Sequence, residues 1–348
     1  MNRVVKKVKF VNPNQVALID DNIISSIGDT RKIPYYDTDP DQLSGLIEKL
    51  KDNAWLDVIS EMYAEENPWL YKIITNNTRS DFIFLLPLKE DDLALDLGAG
   101  WGQVAIPLSK FCDVVAVEGN LEKIKIMNEI SCQENRENIL FVLSDLFHMP
   151  FENEQFDFAI LNGVLEWIGA FNYEDEPINL QQKILKKICE LLTPNGYLYI
   201  GIENKCGLKY LLGEIDDHTG LTDFTYLPIE MAKRVFREKT GQELRVFVHN
   251  KKEYEEMLKK AGFSSVQFLG VLPDYKLPIY IVDLSSPMIS KYFIETMDFV
   301  EEHKGGLDGS CSVYNSRLKD LYPVFSSLEI AGFFYPSYAI IAQKGVQK

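Results

Sequence analysis

The chain has 348 residues, 46% of them hydrophobic and 25% charged, enough apolar material for one large core with attachments or for two domains. A formal net charge of −16 argues against nucleic acid as a partner, because phosphate backbones need a concentrated basic face, and the compact clusters Lys183-Lys186-Lys187 and Lys251-Lys252 read as solvated helix faces. No apolar run approaches the ~18 residues of a membrane span, and the start of the chain does not read as a secretory leader.

Cys112, Cys132, Cys189, Cys206 and Cys311 are scattered without metal-ligand spacing, so a reduced cytoplasmic protein with no metal centre is expected.

Residues 1–90 read as an N-terminal preface that caps the core. Val4–Val8 and Val16–Ile19 suit short strands, whereas Asp41–Lys51 and Ala54–Glu65 carry apolar residues at helical spacing. From Leu93 onward strands and helices alternate, which predicts a parallel sheet with helices on both faces. The strands are Leu93–Leu97, Val114–Glu118, Asn138–Leu143, Phe156–Leu161 and Tyr197–Ile202. Helices fall at Gly102–Phe111, Glu122–Asn135 and Leu180–Leu192. The stretch from Glu203 to Asn250 lacks clear periodicity and reads as an inserted lid, since long loops in compact domains usually serve binding. A helix at Tyr254–Ala261 and a sixth strand at Val266–Val271 come next. A second insertion runs from Pro273 to Ala331, with helical stretches around His303-Lys304-Gly305-Gly306. Ser337–Gln343 alternates well enough for an antiparallel seventh strand. The expected fold is therefore α/β: residues 91–348 form a seven-stranded Rossmann-like core with insertions at 204–250 and 273–331.

The most informative segment is Leu95-Asp96-Leu97-Gly98-Ala99-Gly100-Trp101-Gly102-Gln103, followed by Val114-Val115-Ala116-Val117-Glu118-Gly119. It describes a buried strand, a turn that exposes bare backbone to a ligand, and a carboxylate about twenty residues on that can take both hydroxyls of a ribose. A dinucleotide fingerprint requires glycine where Gln103 stands. Asp96, aimed at the turn, suits a cofactor bearing an ammonium and a sulfonium and would repel a pyrophosphate. The pattern resembles the first motif of the class I S-adenosylmethionine-dependent methyltransferases.

That resemblance implies S-adenosylmethionine as cofactor, held by Asp96, Gly98, Ala99, Gly100, Glu118 and Gly119. It further implies that Asp145 accepts the adenine amino group while the Leu146 backbone contacts the ring. Asn162 and Glu166, at the carboxyl edge of the fourth strand, are candidates for the surroundings of the transferring methyl. Arg79 is a candidate partner for the cofactor's carboxylate. Each has a plainer alternative: turn geometry for the glycines, a surface acid for Asp145, a helix cap for Glu166.

Four further segments resemble one bacterial methyltransferase subfamily found with glycosyltransferases of surface-polysaccharide assembly. They are Gly163-Val164-Leu165-Glu166-Trp167, Glu203-Asn204-Lys205-Cys206-Gly207-Leu208-Lys209-Tyr210-Leu211, Asp217-His218-Thr219-Gly220 and Pro273-Asp274-Tyr275-Lys276-Leu277-Pro278. The subfamily carries arginine where Lys205 stands and a bulky apolar residue where Cys206 stands. It implies a sugar, glycoconjugate precursor or other small molecule as acceptor, and a glycosyltransferase as associated partner.

A hydroxyl acceptor must lose a proton, and histidine is the side chain tuned for that near neutral pH. Of His148, His218, His249 and His303, His218 alone sits in a dense polar motif. It is the expected general base, oriented by Asp216 or Asp217; Glu166 is a further candidate catalytic residue. Glu203, Asn204, Asp274, Tyr275 and Lys276 are expected to line the acceptor pocket. Transfer to nitrogen or to a carboxylate, and a non-catalytic cofactor-binding role beside a glycosyltransferase, remain the alternatives.

Overall fold

The computed structural model describes residues 3–26, 39–296 and 311–346. The stretch His303-Lys304-Gly305-Gly306 lies outside the described residues. Ten strands follow one hydrogen-bonded order, β1-β2-β5-β4-β3-β6-β7-β10-β8-β9. They are β1 Ala17–Asp20, β2 Ile23–Ser25, β3 Leu93–Leu97, β4 Asp113–Glu118, β5 Ile139–Leu143, β6 Phe156–Asn162, β7 Leu192–Glu203, β8 Phe263–Leu272, β9 Tyr280–Asp283 and β10 Ser337–Lys344. The expected seven strands are all present, but the sheet is larger. A hairpin, β1 antiparallel to β2, joins the edge at β5, and β9 adds antiparallel to β8 at the other edge.

The chain divides into two compact units. The first takes in the described part of 1–162, together with 186–199 and the end from 343; the second takes in 163–185 and the described part of 200–342.

In the first unit, β3 and β5 are buried along their whole length, as are all but the last residue of β4. Such continuous apolar runs are what a parallel strand covered on both faces requires. β3 pairs in parallel with β4 on one side and β6 on the other. The chain thus runs outward from β3 through β4 and β5, then returns to β6. That reversal puts the topological switch point at the carboxyl ends of β3 and β6, where open α/β sheets bind ligands.

The N-terminal residues differ from expectation. Arg3–Lys7 is an α-helix, not a strand. Val4 and Val8 fit a period of two or of nearly four equally well. The arbiter is Asp113, which receives Arg3 at 2.6 Å and Lys7 at 2.8 Å. Four residues of strand would separate those side chains by about 13 Å; a helix turn brings them to about 6 Å.

The helix after the glycine turn is also shorter than expected, Ala105–Leu108. Gly102 is still left-handed at φ 84°, so regular helix cannot begin before it.

In the second unit, the stretch read as an aperiodic lid contains helices Leu208–Leu211 and Ile229–Thr240. It has a small core of its own, in which Phe224, Ala232, Leu244 and Phe247 pack with Ile229 and Phe236. Ile229, Ala232 and Phe236 are spaced as one helical face, and Gly241 in the left-handed C-cap ends it. The segment after Pro273 forms the turn between β8 and β9, followed by helices Pro287–Thr296 and Cys311–Ser327. Among the described residues, no helix is long and apolar enough to cross a membrane.

Candidate active site

The first unit gathers the expected cofactor residues at the ends of β3, β4, β5 and β6. Gly98 and Ala99 donate to the Val117 carbonyl at 2.9 and 3.0 Å, which ties the turn to β4. Gly100, at φ 58°, turns its N–H toward the Glu118 carboxylate at 2.9 Å. Glu118 also accepts from Gly119 at 2.8 Å and Asn120 at 3.0 Å, both on its other oxygen. One carboxylate thus fixes the turn and the start of the next helix, and the oxygen facing Gly100 keeps a lone pair. Gln103, the residue that breaks the dinucleotide pattern, closes the loop by accepting from Trp101 N–H at 3.0 Å.

Asp96 is 2% exposed, and its Oδ2 has no hydrogen-bond partner. Burial pushes its carboxyl up to about 7, against the opposing pull of Arg79 and a hydrogen bond from Ala105 N–H. Asn162 is buried too, with Oδ1 unpartnered. Its Nδ2 donates to the Arg79 carbonyl at 3.4 Å, and Arg79 Nη2 donates to the Asn162 carbonyl at 3.2 Å. Two buried acceptors left without donors fit a ligand rich in N–H, such as an ammonium.

Asp145, in the turn after β5, accepts from Phe147 N–H at 2.8 Å and His148 N–H at 2.9 Å and pairs with the His148 ring at 2.8 Å. Leu146 lies in the same turn, half-buried.

The second unit brings together residues from all four of the other motifs. Glu166 comes from the short turn Leu165–Trp167, Glu203 from the end of β7, Lys209 from the helix after it, and Asp217 and His218 from the following loop. Asp274, Tyr275 and Lys276 come from the β8–β9 turn. Glu166 and Glu203 are 1% and 0% exposed. His218 Nε2 stands 3.8 Å from Glu166 Oε1 and 3.8 Å from Glu203 Oε2, and its ring lies edge-on to Trp167.

Burial works against charge on this imidazole, but Glu203 and Glu166 outweigh it and raise His218 to about 9. Burial likewise raises Glu203, although Lys276 and His218 pull the other way.

Of the two aspartates expected to orient His218, the structure favours Asp216. Its Oδ1 lies 3.8 Å from His218 Nδ1 and accepts from His218 N–H at 3.0 Å and Thr219 N–H at 2.8 Å. The Asp217 carboxylate points to lysines instead, Lys276 at 2.9 Å and Lys209 at 3.6 Å. These two cations overcome the burial penalty and hold it well below the usual carboxylate range. Lys276 also pairs with Glu203, and Lys209 with Asp274 at 3.2 Å. Burial opposes charge on both lysines, but the surrounding carboxylates keep them protonated, with pKa values above the ordinary lysine value.

Two expected pocket residues are used internally. Asn204 donates to the Phe333 and Tyr335 carbonyls at 2.8 Å each and accepts from Cys206 N–H, so its amide is fully occupied. Tyr275 is 2% exposed and directs its hydroxyl to Glu166 Oε1 at 3.4 Å. Lys209 was not singled out from sequence; a charged residue inside the apolar run Leu208-Lys209-Tyr210-Leu211 was its signal.

Residues 88–262 match a protein-family model described as a methyltransferase domain. A demethylmenaquinone methyltransferase from Lactobacillus johnsonii is 25% identical over 172 residues, covering 48% of this chain and 55% of that protein. The chain therefore matches little more than half the length of this curated relative.

Among solved structures, a putative methyltransferase from Bacillus halodurans shares 16% identity at a TM-score of 0.42, covering 77% of this chain and 99% of that one. A Haemonchus contortus phosphoethanolamine N-methyltransferase 2 in complex with S-adenosyl-L-methionine shares 16% at 0.43, covering 86% and 60%. With the family model spanning half the sequence and the glycine turn lying inside it, the chain belongs to the methyltransferase-domain family and has the class I α/β fold.

Proposed function

We propose that the chain is an S-adenosylmethionine-dependent methyltransferase that methylates a hydroxyl of a sugar, a glycoconjugate precursor or another small molecule. The observation that carries the acceptor side is the meeting of four distant motifs in one buried acidic centre around His218. Structural needs alone do not explain two buried glutamates with oxygens left unpaired, because such groups cost stability wherever they lack a function.

The donor, when bound, supplies an electrophilic methyl on a sulfonium. Asp96 and Asn162 receive its ammonium, Glu118 its ribose hydroxyls, Arg79 its carboxylate, and Asp145 with the Leu146 backbone its adenine. The acceptor's proton passes to a carboxylate of Glu166 or Glu203; the His218 imidazole beside them, raised to about 9, already carries its own proton near neutral pH and is there as their charged partner in place of the expected general base. Lys276 and Lys209 hold Asp217 and Asp274 in their charged forms. Residues 1–90 act as a cap on the core, and the insertions at 204–250 and 273–331 shape acceptor selection. The subfamily resemblance supports a cytoplasmic enzyme working beside a glycosyltransferase.

Incubation with methyl-labelled S-adenosylmethionine and a panel of nucleotide sugars and glycolipid precursors tests this reading. A labelled O-methyl product, absent with Asp96→Ala, is expected. A second reading, transfer to nitrogen, draws support from the surplus of carboxylates in the centre, which suits a cationic amine. An N-methyl product identified by mass spectrometry would select it.

A further inference from the structure

We propose that Glu166, Glu203 and His218 bind one divalent first-row metal ion. The sequence gives no metal-ligand spacing, yet the fold brings one ligand atom from each of these three residues to within 4.8 Å of one another. His218 Nε2 is 3.8 Å from both carboxylates, too far for a hydrogen bond to either. It is a fitting separation for ligands sharing an ion at about 2.0–2.2 Å from each. The oxygen that faces the imidazole on Glu203 is Oε2, fully buried and without a partner, and Glu166 Oε2 is likewise buried and unpartnered. Acceptor atoms in that condition lack a cation or a donor.

The surroundings are those of a prepared site. Glu203 Oε1 is held by Lys276 and Glu166 Oε1 by the Tyr275 hydroxyl. Outer partners of this kind orient carboxylate ligands; on Glu203 this leaves Oε2 facing the imidazole, whereas on Glu166 the oxygen nearest the imidazole is Oε1 itself. Asp216 lies beside His218 Nδ1, on the far side of the ring from the proposed ion, and pins the backbone of His218 and Thr219. The main chain is fixed as well: the Glu166 carbonyl accepts from Phe247 N–H, and the Glu203 carbonyl from the Tyr254 hydroxyl.

A second group, Glu203 with Asp217 and Asp274, also has converging oxygens. There Lys209 and Lys276 already supply two positive charges, so the imidazole-containing group is the better cation site.

One imidazole and two carboxylates suit Mn2+, Co2+ or Zn2+. Three protein ligands leave coordination positions open, as in sites that bind a substrate oxygen. Use of the ion to hold an acceptor oxygen rests on the methyl-transfer reading, whereas binding of the ion does not.

The test uses the full chain stripped with a chelator and titrated with Mn2+ or Co2+ alone, without donor or acceptor. One equivalent is expected to bind, with affinity reduced at least about tenfold in His218→Ala and in Glu203→Gln, while far-ultraviolet circular dichroism and a cooperative thermal transition show that the variants are folded. Pulsed electron paramagnetic resonance of the Mn2+ form of the unaltered protein should resolve coupling to an imidazole nitrogen, a readout that needs no variant. The proposal is overturned by absence of binding, by absence of nitrogen coupling, or by binding that survives His218→Ala and disappears in Asp217→Asn.

Discussion

The two units arrive at their sites by opposite means. In the first, the ligand-facing residues follow one another at successive strand ends and are held mainly by backbone: Glu118 is fixed by three amide N–H groups, and the turn by the Val117 carbonyl. In the second, Glu166 and Lys276 are 110 positions apart, and the centre is held by side-chain charges that hold one another. A site built on backbone depends on conformation, so one side chain can change with little effect on the fold. A site built on buried charge is a mutual arrangement, and removing one member leaves the others without compensation.

The largest effect that sharpens this contrast is expected from Lys276→Met. Glu203 and Asp217 lose their shared cation, and breaking a buried ion pair in this way costs about 3–5 kcal/mol. Chemical denaturation should show the loss; a variant as stable as the parent would mean the charges are not mutually dependent.

Asp96→Asn should do the reverse. Binding of S-adenosylmethionine is expected to weaken about a hundredfold, a loss of about 2.7 kcal/mol, while Tm rises by a few degrees because a costly buried carboxylate is removed. A falling Tm would assign Asp96 a structural role.

The acidity of Asp96 gives a third prediction, of about tenfold. With its carboxyl raised to about 7, only the ionised form accepts from an ammonium, so donor affinity should be about ten times weaker at pH 6 than at pH 8. The sign for stability is opposite. The folded protein keeps this proton to higher pH than the unfolded chain, so the contribution is present below the ordinary aspartate range and is lost as pH rises through about 7. Calorimetry of donor binding against pH reads the first effect, and a flat profile would remove Asp96 from the ammonium site.

The smallest effect belongs to Asp145→Asn. The turn acceptor survives and only the exposed pair with His148 is lost, worth less than ~1 kcal/mol. Donor affinity should still fall several-fold if the carboxylate meets the adenine amino group, and unchanged affinity would free Asp145 of that role.

The same contrast explains what could be read without coordinates. The glycine turn, Asp96 and Glu118 were legible because strand, turn and strand are contiguous and each step has a local physical signature. His218, Glu203 and Asp274 are legible as members of short polar motifs, but their pairing is not, since it depends on which loops the sheet brings together. Asp217 illustrates this: adjacency to His218 in sequence suggested partnership, yet its carboxylate answers to two lysines. The Arg3–Lys7 helix is hidden in the sequence because Val4 and Val8 serve two periodicities, and a distant aspartate decides between them. The helix Ile229–Thr240 leaves a weak sequence signal because its apolar face is narrow and covers a small local core.

The donor pocket bears the whole account, and one titration addresses it most directly. Calorimetry at pH 8 should show one equivalent of S-adenosylmethionine bound by the full chain and about a hundredfold weaker binding to Asp96→Asn, with NADH inert toward both. Failure of the unaltered protein to bind S-adenosylmethionine, or equal affinity in the variant, would contradict it.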